Sequence, residues 1–278
     1  MDQFFNREFV QRSYATQDNL AARILSHQRY SLQTENIFDT MTRFALTLSV
    51  PEKILDIGAG TGAWYSRIRR YVGPDSFYQA VDQSPAMVTE LEKVLGQDSK
   101  ASVCMESAET LNAVPESFDW VGLHFMLYHV VDIRGVLSKA WELVHPSGVL
   151  LAATNGSNSY AEMKVFHQQI IRKLGLPYQD NAGIDRFSLT IGSQFFPLPV
   201  HKVEVPAGLQ FPDIDSYLSY YGSGFCWAGI PVEYHTPTVQ EQLMQRMKEL
   251  VRPHFQQDHY LKLSNTTGYF WVQKQQND

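Results

Sequence analysis

Three alternating glycines, Gly58, Gly60 and Gly62, follow a short apolar run that carries a carboxylate, Asp56, two residues before the first of them. Such a turn lets a ligand approach bare backbone N–H groups, and a helix opening after it points the positive end of its dipole at whatever binds. Gly58, Gly60 and Ala63 also satisfy the dinucleotide pattern G-x-G-x-x-G/A, with the acidic Asp82 about twenty residues on. Asp56 tilts the reading. A carboxylate at the mouth of the turn suits an ammonium group and sits badly beside a pyrophosphate. Asp82 closes a second apolar run, and an acid at the carboxyl end of a strand can accept both hydroxyls of a ribose. His124 closes a third run, with Tyr128 and His129 after it. A histidine whose pKa lies near neutrality can take the proton from a nucleophile. His129, just before Val130-Val131 and a helix, reads equally as a residue that hydrogen-bonds within the fold.

The elements that must position these groups alternate. Ile54–Ile57 is a buried strand, the glycine turn follows it, and apolar residues at 64, 68, 71 and 72 predict a helix stopped by Gly73-Pro74. Phe77–Asp82 is the second strand. Ser84-Pro85 then opens a helix with Met87, Leu91, Val94 and Leu95 inward, ended by Gly96. Ala101–Met105 and Phe118–His124 are strands three and four. A helix from Asp132 to Val144 leads to the apolar fifth strand, Val149–Thr154, and a further helix carries Met163, Phe166, Ile170 and Leu174 to Gly175. Five strands alternating with helices imply a doubly wound α/β sheet, and ligands then sit beyond the carboxyl ends of the strands.

Outside this core the pattern changes. Residues 1–50 predict N-terminal helices, with Phe4, Phe5, Phe9 and Val10 on one face and Ile37, Phe38, Met41, Phe44, Ala45 and Leu48 on another. Between 176 and 236 a strand-like run, Phe195–Val205, is punctuated by Pro197, Pro199 and Pro206. An aromatic helix over Asp213–Tyr221 and the glycines 222, 224 and 229 follow it. Such an aromatic, glycine-bearing insertion is a natural substrate cap. A helix over Thr238–Val251 and an antiparallel strand over Thr266–Val272 complete the chain.

Asp56-Ile57-Gly58-Ala59-Gly60-Thr61-Gly62 closely resembles the first motif of class I S-adenosylmethionine-dependent methyltransferases. Phe118-Asp119-Trp120-Val121, followed by a segment ending Leu127-Tyr128-His129-Val130, resembles the fourth motif of their small-molecule members, a group that includes ubiquinone, menaquinone and natural-product methyltransferases. The resemblance covers roughly residues 54–156. It implies a seven-stranded Rossmann-like sheet in a single domain over 1–278, with a helical lid over 1–50, a cofactor-binding core over 51–156 and a cap over 176–236. It implies S-adenosyl-L-methionine as cofactor. Asp56, Gly58, Ala59 and Gly60 would hold its methionine end and Asp82 its ribose, with Gln83 and Met87 flanking the nucleoside. Tyr14 and Arg23 would meet its carboxylate, and His27 and Tyr30 would lie nearer the substrate. The family commonly has Gly-Asp-Ala-Glu where this chain has Glu106-Ser107-Ala108-Glu109, so adenine reading falls to Glu106 or Ser107, with backbone contact from Ala108. His124, the best placed of the strand-four residues, would face the transferable methyl group, with His129 and Tyr128 near it.

Composition narrows the partners. A net charge of −6 without clustered Lys and Arg argues against nucleic acid and favours a small-molecule acceptor. Two cysteines, Cys104 and Cys226, make no disulfide framework, and no Cys/His spacing suits zinc. The start of the chain does not read as a signal peptide and no run is long enough to span a membrane, so the expected compartment is the cytoplasm. Three other readings share the features: an NAD(P)-dependent oxidoreductase, through the glycine pattern; a nucleic-acid methyltransferase, through the cofactor site, though it would usually add a basic face; and a non-catalytic protein that uses the cofactor pocket for sensing or assembly.

Overall fold

The structure, a computed structural model, describes residues 17–179 and 186–276. Phe4, Phe5, Phe9, Val10 and Tyr14 lie outside the described residues. By contact the described chain falls into two compact units: residues 35–157, 186–205 and 267–276 form one, and 17–34, 158–179 and 206–266 the other.

The first unit holds the sheet. Its strands are β1 (Lys53–Ile57), β2 (Phe77–Asp82), β3 (Ala101–Met105), β4 (Phe118–His124) and β5 (Val144–Asn155), joined by residues of β6 (His201–Phe211) and β7 (Leu261–Gln273). The seven-stranded order is β3-β2-β1-β4-β5-β7-β6. β1 to β5 run parallel, and β7 runs antiparallel to β5, pairing Val149 with Gln273 and Asn155 with Thr267. The α/β sheet and its seven strands are therefore as the sequence predicts. The strand order reverses between β1 and β4, and a crevice at such a switch point is where open α/β sheets take ligands.

Both faces of the sheet are buried, which is why the strands read as continuous apolar runs. On one face Leu55, Ile57, Val81, Val121, Leu123, Leu150 and Ala152 pack with Val136, Leu137 and Ala140 of α5 (Ile133–Leu143). On the other, Ile54, Tyr78, Ala80, Trp120, Leu151 and Ala153 meet three helices. These are α2 (Ile37–Leu46), through Met41 and Ala45, α3 (Tyr65–Ile68), and α4 (Pro85–Leu95), through Leu91 and Leu95. The Asn36 side chain accepts from the Phe38 N–H at 2.9 Å and starts α2.

Two elements differ from expectation. The helix expected from 63 to 72 is α-helical only over Tyr65–Ile68. Bonds to the third residue back, Arg67 N–H to Trp64 O at 2.9 Å and Tyr71 N–H to Ile68 O at 2.9 Å, tighten the rest into turns. The strand expected over 195–205 is displaced: Gly192–Phe195 is a single 3-10 turn and β6 starts at His201. Pro197 and Pro199 have no N–H for a ladder, while Pro206 is tolerated because β6 is the edge strand.

The second unit packs α1 (Gln17–Tyr30), α6 (Ala161–Leu174), α7 (Ile214–Gly222) and α8 (Pro237–Asp258) around an aromatic core of Tyr160, Phe211, Tyr217, Tyr220 and Tyr221. Of the region expected to form a cap, 186–205 groups with the sheet and 206–236 with these helices.

Candidate functional site

The site is built at the carboxyl ends of β1, β2 and β4. Gly58, Gly60 and Gly62 all have left-handed φ, at 71°, 56° and 75°, a conformation that a side chain at these positions would strain. The backbone here is less bare than the sequence suggests. Gly58 and Ala59 donate their N–H groups to Val81 O at 2.8 and 3.0 Å, and Gly60 donates to Asp82 Oδ2 at 2.9 Å. A loop bonded to β2, rather than a long helix with a free N-terminus, thus forms the floor. That corrects the helix-dipole reading.

Asp82 is half-buried at the end of β2, and both its oxygens are engaged from below: Oδ2 by Gly60 and Oδ1 by the Ser84 N–H at 2.9 Å. A carboxylate offers about four lone-pair sites, so one on each oxygen remains for a ligand. Ser84 takes the N-cap position as expected, but its side chain caps nothing, and it serves Asp82 through its backbone. Gln83 is exposed and Met87 half-buried beside it on α4.

Asp56 is buried, at 2% exposure, on the same face of the sheet as Tyr78. The Tyr78 hydroxyl donates to Asp56 Oδ2 at 2.6 Å, and Oδ1 has no partner among the described residues. Burial lifts the Asp56 pKa to about 7. The Tyr78 hydrogen bond opposes the rise and the nearby Asp82 charge adds to it.

The adenine candidates are partly engaged. Glu106 Oε1 accepts from the Asn112 N–H at 3.1 Å and its Oε2 lies 3.9 Å from Cys104 Sγ, while Ser107 Oγ donates to Glu109 Oε2. Ala108 is half-buried between them.

His124 is where the structure departs most from expectation. As the last residue of β4 it points into the layer between sheet and helices, its ring 4.4 Å from that of Trp64 and 5.7 Å from that of Phe38. It is 7% exposed, neither ring nitrogen has a partner among the described residues, and burial pushes its pKa down to about 3. An imidazole this reluctant to protonate is a poor proton acceptor in this state. The alternation of side chains sets this burial, because Trp120, Gly122 and His124 share the face that Trp64 fills.

Tyr128 and His129 lie half-buried in a 3-10 turn over Leu127–His129, their rings 4.5 Å apart. Arg23 belongs to the second unit, where its guanidinium carbon sits 5.9 Å from the Phe225 ring centroid.

The sequence reading missed four residues. Met126 covers the first glycine, since a Cβ built on Gly58 would lie 2.8 Å from Met126 Cγ. Arg186 holds the segment after β4 by donating to the carbonyls of Tyr128 and Val130, at 3.2 and 2.9 Å. Glu109 Oε1 accepts the Val131 N–H at 3.2 Å. Tyr78 is the fourth; its even spacing from Asp82 along β2, with Asp56 paired to Ala80, is the signal that places both acids and the tyrosine on one face.

Comparisons with known proteins point the same way. A family model described as a methyltransferase domain matches residues 54–148. Methyltransferase str3 of Strobilurus tenacellus is 36% identical over 104 residues, 37% of this chain and 35% of that protein. The malonyl-acyl-carrier-protein O-methyltransferase of Priestia megaterium is 23% identical over 176 residues, 60% of this chain and 63% of that one. The chain thus spans less than two thirds of the length of either relative. Phosphoethanolamine N-methyltransferase 2 of Haemonchus contortus, solved with phosphomonomethylethanolamine and S-adenosylhomocysteine, shares the fold with a TM-score of 0.53. It is 15% identical, over 99% of this chain and 61% of that one. Glycine loop and strand order agree with that match: residues 54–148 are similar to a methyltransferase domain, set in a sheet of the order β3-β2-β1-β4-β5-β7-β6.

Proposed function

We propose that the chain transfers the methyl group of S-adenosylmethionine to an oxygen, nitrogen or carbon nucleophile of a small-molecule acceptor, in secondary metabolism or cofactor biosynthesis. The observation that carries the reading is Asp82: each carboxylate oxygen is fixed by one backbone N–H and keeps a lone pair outward, a matched pair of acceptors for the two hydroxyls of a ribose. The unpartnered Asp56 Oδ1 supports a cationic ligand beside the same loop. The acceptor class is supported by the charge of −6 and by the methyltransferase names of the relatives.

When bound, the cofactor supplies a sulfonium-activated methyl group open to in-line attack. The protein's part is alignment and exclusion of water. Asp82 would hold the ribose, the glycine loop Gly58-Ala59-Gly60, open at Gly60, would take the methionine end, and Asp56 would oppose its ammonium. Gln83 and Met87 would flank the nucleoside, with Glu106, Ser107 and Ala108 along the adenine. With His124 enclosed, proton acceptance falls to His129, with Tyr128 beside it. An acceptor that arrives deprotonated needs neither. Among the described residues no helix is long and apolar enough to cross a membrane, and we place the activity in the cytoplasm.

The test is incubation with S-adenosylmethionine labelled in its methyl carbon and a panel of phenols, carboxylic acids and amines. Label in an extractable product supports the proposal. Affinity for S-adenosylhomocysteine with no labelled product from any acceptor would favour the sensing protein, and hydride transfer from a nicotinamide dinucleotide would favour the oxidoreductase.

A further inference from the structure

Asp56 opens the glycine motif, but the residue that holds it, Tyr78, lies on β2 outside every motif named above. Tyr78 is fully buried, its ring held edge-on 5.1 Å from Tyr65 and 6.0 Å from Trp64. Its hydroxyl has a single acceptor, Asp56 Oδ2, and the bond is short at 2.6 Å. The other carboxylate oxygen is equally buried and has no hydrogen-bond partner among the described residues. Buried acceptors normally find a donor in the protein. A carboxylate with one oxygen clamped keeps acceptor capacity on the other for a further donor.

We propose that Tyr78 is the positioning residue of the cofactor site: by holding Asp56 Oδ2 it fixes the carboxylate with Oδ1 turned to the ammonium end of S-adenosylmethionine. The proposal rests on the function given above, and it assigns Tyr78 a role in binding that packing alone does not require.

The same bond governs the charge of Asp56. An ammonium is held by a carboxylate, not by a carboxylic acid. Burial and the charge of Asp82 favour the protonated form, and the Tyr78 hydroxyl opposes both by donating to the ionised one. Tyr78 itself stays protonated, raised well above its ordinary range by burial and by the Asp56 charge, so it remains a donor. Among the described residues no cation acts on Asp56. On β4 the residue opposite Asp56 is Gly122, and His124 beyond it is neutral. On α2 Asp39 is paired with Arg67 at 2.8 Å. Arg69, next to α3, is paired with Asp98 at 2.8 Å, and Tyr65 donates to Asp98 as well. The Tyr78 hydroxyl is left as the group that keeps Asp56 ionised near neutrality.

The experiment is calorimetric titration of the full chain with S-adenosylhomocysteine at several pH values between about 6 and 8.5, a range bracketing the Asp56 transition. The proteins are wild type, Tyr78→Phe and Asp56→Asn, each checked for cooperative melting. Wild-type affinity should rise with pH through about 7. Tyr78→Phe keeps the ring and loses the donor. A rise of about one unit in the Asp56 pKa would then cut affinity about fivefold at neutral pH and leave it within about twofold of wild type at the alkaline end. Asp56→Asn, which needs no repacking, should bind weakly with no dependence on pH through this range. Tyr78→Phe binding like wild type at every pH, or weakened equally at every pH, would overturn the proposal, as would Asp56→Asn binding like wild type. Wild type that binds no S-adenosylhomocysteine at any pH would instead refute the methyltransferase reading, and the role of Tyr78 with it.

Discussion

The Gly60 N–H donates to Asp82 Oδ2 at 2.9 Å, which ties the glycine loop to the end of β2 through the carboxylate proposed to hold the ribose. The acid therefore shapes the loop as well as offering acceptors. Asp82→Asn keeps the size of the side chain but replaces one acceptor oxygen by a donor amide, so it cannot serve Gly60, Ser84 and two ribose hydroxyls together. Affinity for S-adenosylhomocysteine should fall by about tenfold or more, roughly 1.4 kcal/mol. The Gly60 amide should also exchange its hydrogen faster in the unliganded variant, measured by native-state exchange.

His124 should behave as a buried neutral ring. Its folded pKa of about 3 lies below the 6.5 of an unperturbed histidine, so the unfolded chain takes up a proton there before the folded one does. The stability linked to His124 is then present above pH 6.5 and is lost as pH falls through about 3. The His124 ring resonances should show no titration between about pH 5 and 8, where an unperturbed imidazole changes charge. His124→Phe should make the protein less sensitive to acid, seen as a smaller loss of urea midpoint between neutral and mildly acidic buffer.

Gly122 is the position that lets Trp64 and His124 share one face of β4. A Cβ there would collide with His124 Nε2 and with Trp64 Cζ3. Trp64 has little room to yield, since its Nε1 donates to Thr42 Oγ1 at 3.1 Å and it is 1% exposed. Gly122→Ala should destabilise the protein by about 1–3 kcal/mol, the ordinary cost of overpacking, read as a drop of several degrees in Tm.

The parallel core was legible because both of its faces are buried. Phe77–Asp82, Ala101–Met105 and Phe118–His124 are strands at the expected residues, and Pro85 and Gly96 bound α4 as expected. Local chemistry fixes such features: apolar runs, a first-turn proline, a glycine at a left-handed position. What was not legible depends on which way a side chain turns once several strands are paired. His124 reads as a site residue by its place at a strand end, yet the period of two sends it toward Trp64. The reach of Tyr78 to Asp56 joins residues 22 apart in sequence and follows only from the β1–β2 register. The short α3 was missed because apolar spacing does not separate an α-helix from a chain of tight turns. Arg186, arriving from 56 residues beyond Val130 to hold the segment after β4, leaves no local trace at all.

The measurement that bears most directly on the central claim is calorimetric titration of wild type and Asp82→Ala with S-adenosylhomocysteine, followed by titration of wild type with a nicotinamide dinucleotide. The account predicts binding near the micromolar range, about −8 kcal/mol, weakened by about tenfold or more in the variant, and no saturable binding of the dinucleotide. Saturable dinucleotide binding with no affinity for S-adenosylhomocysteine would contradict it.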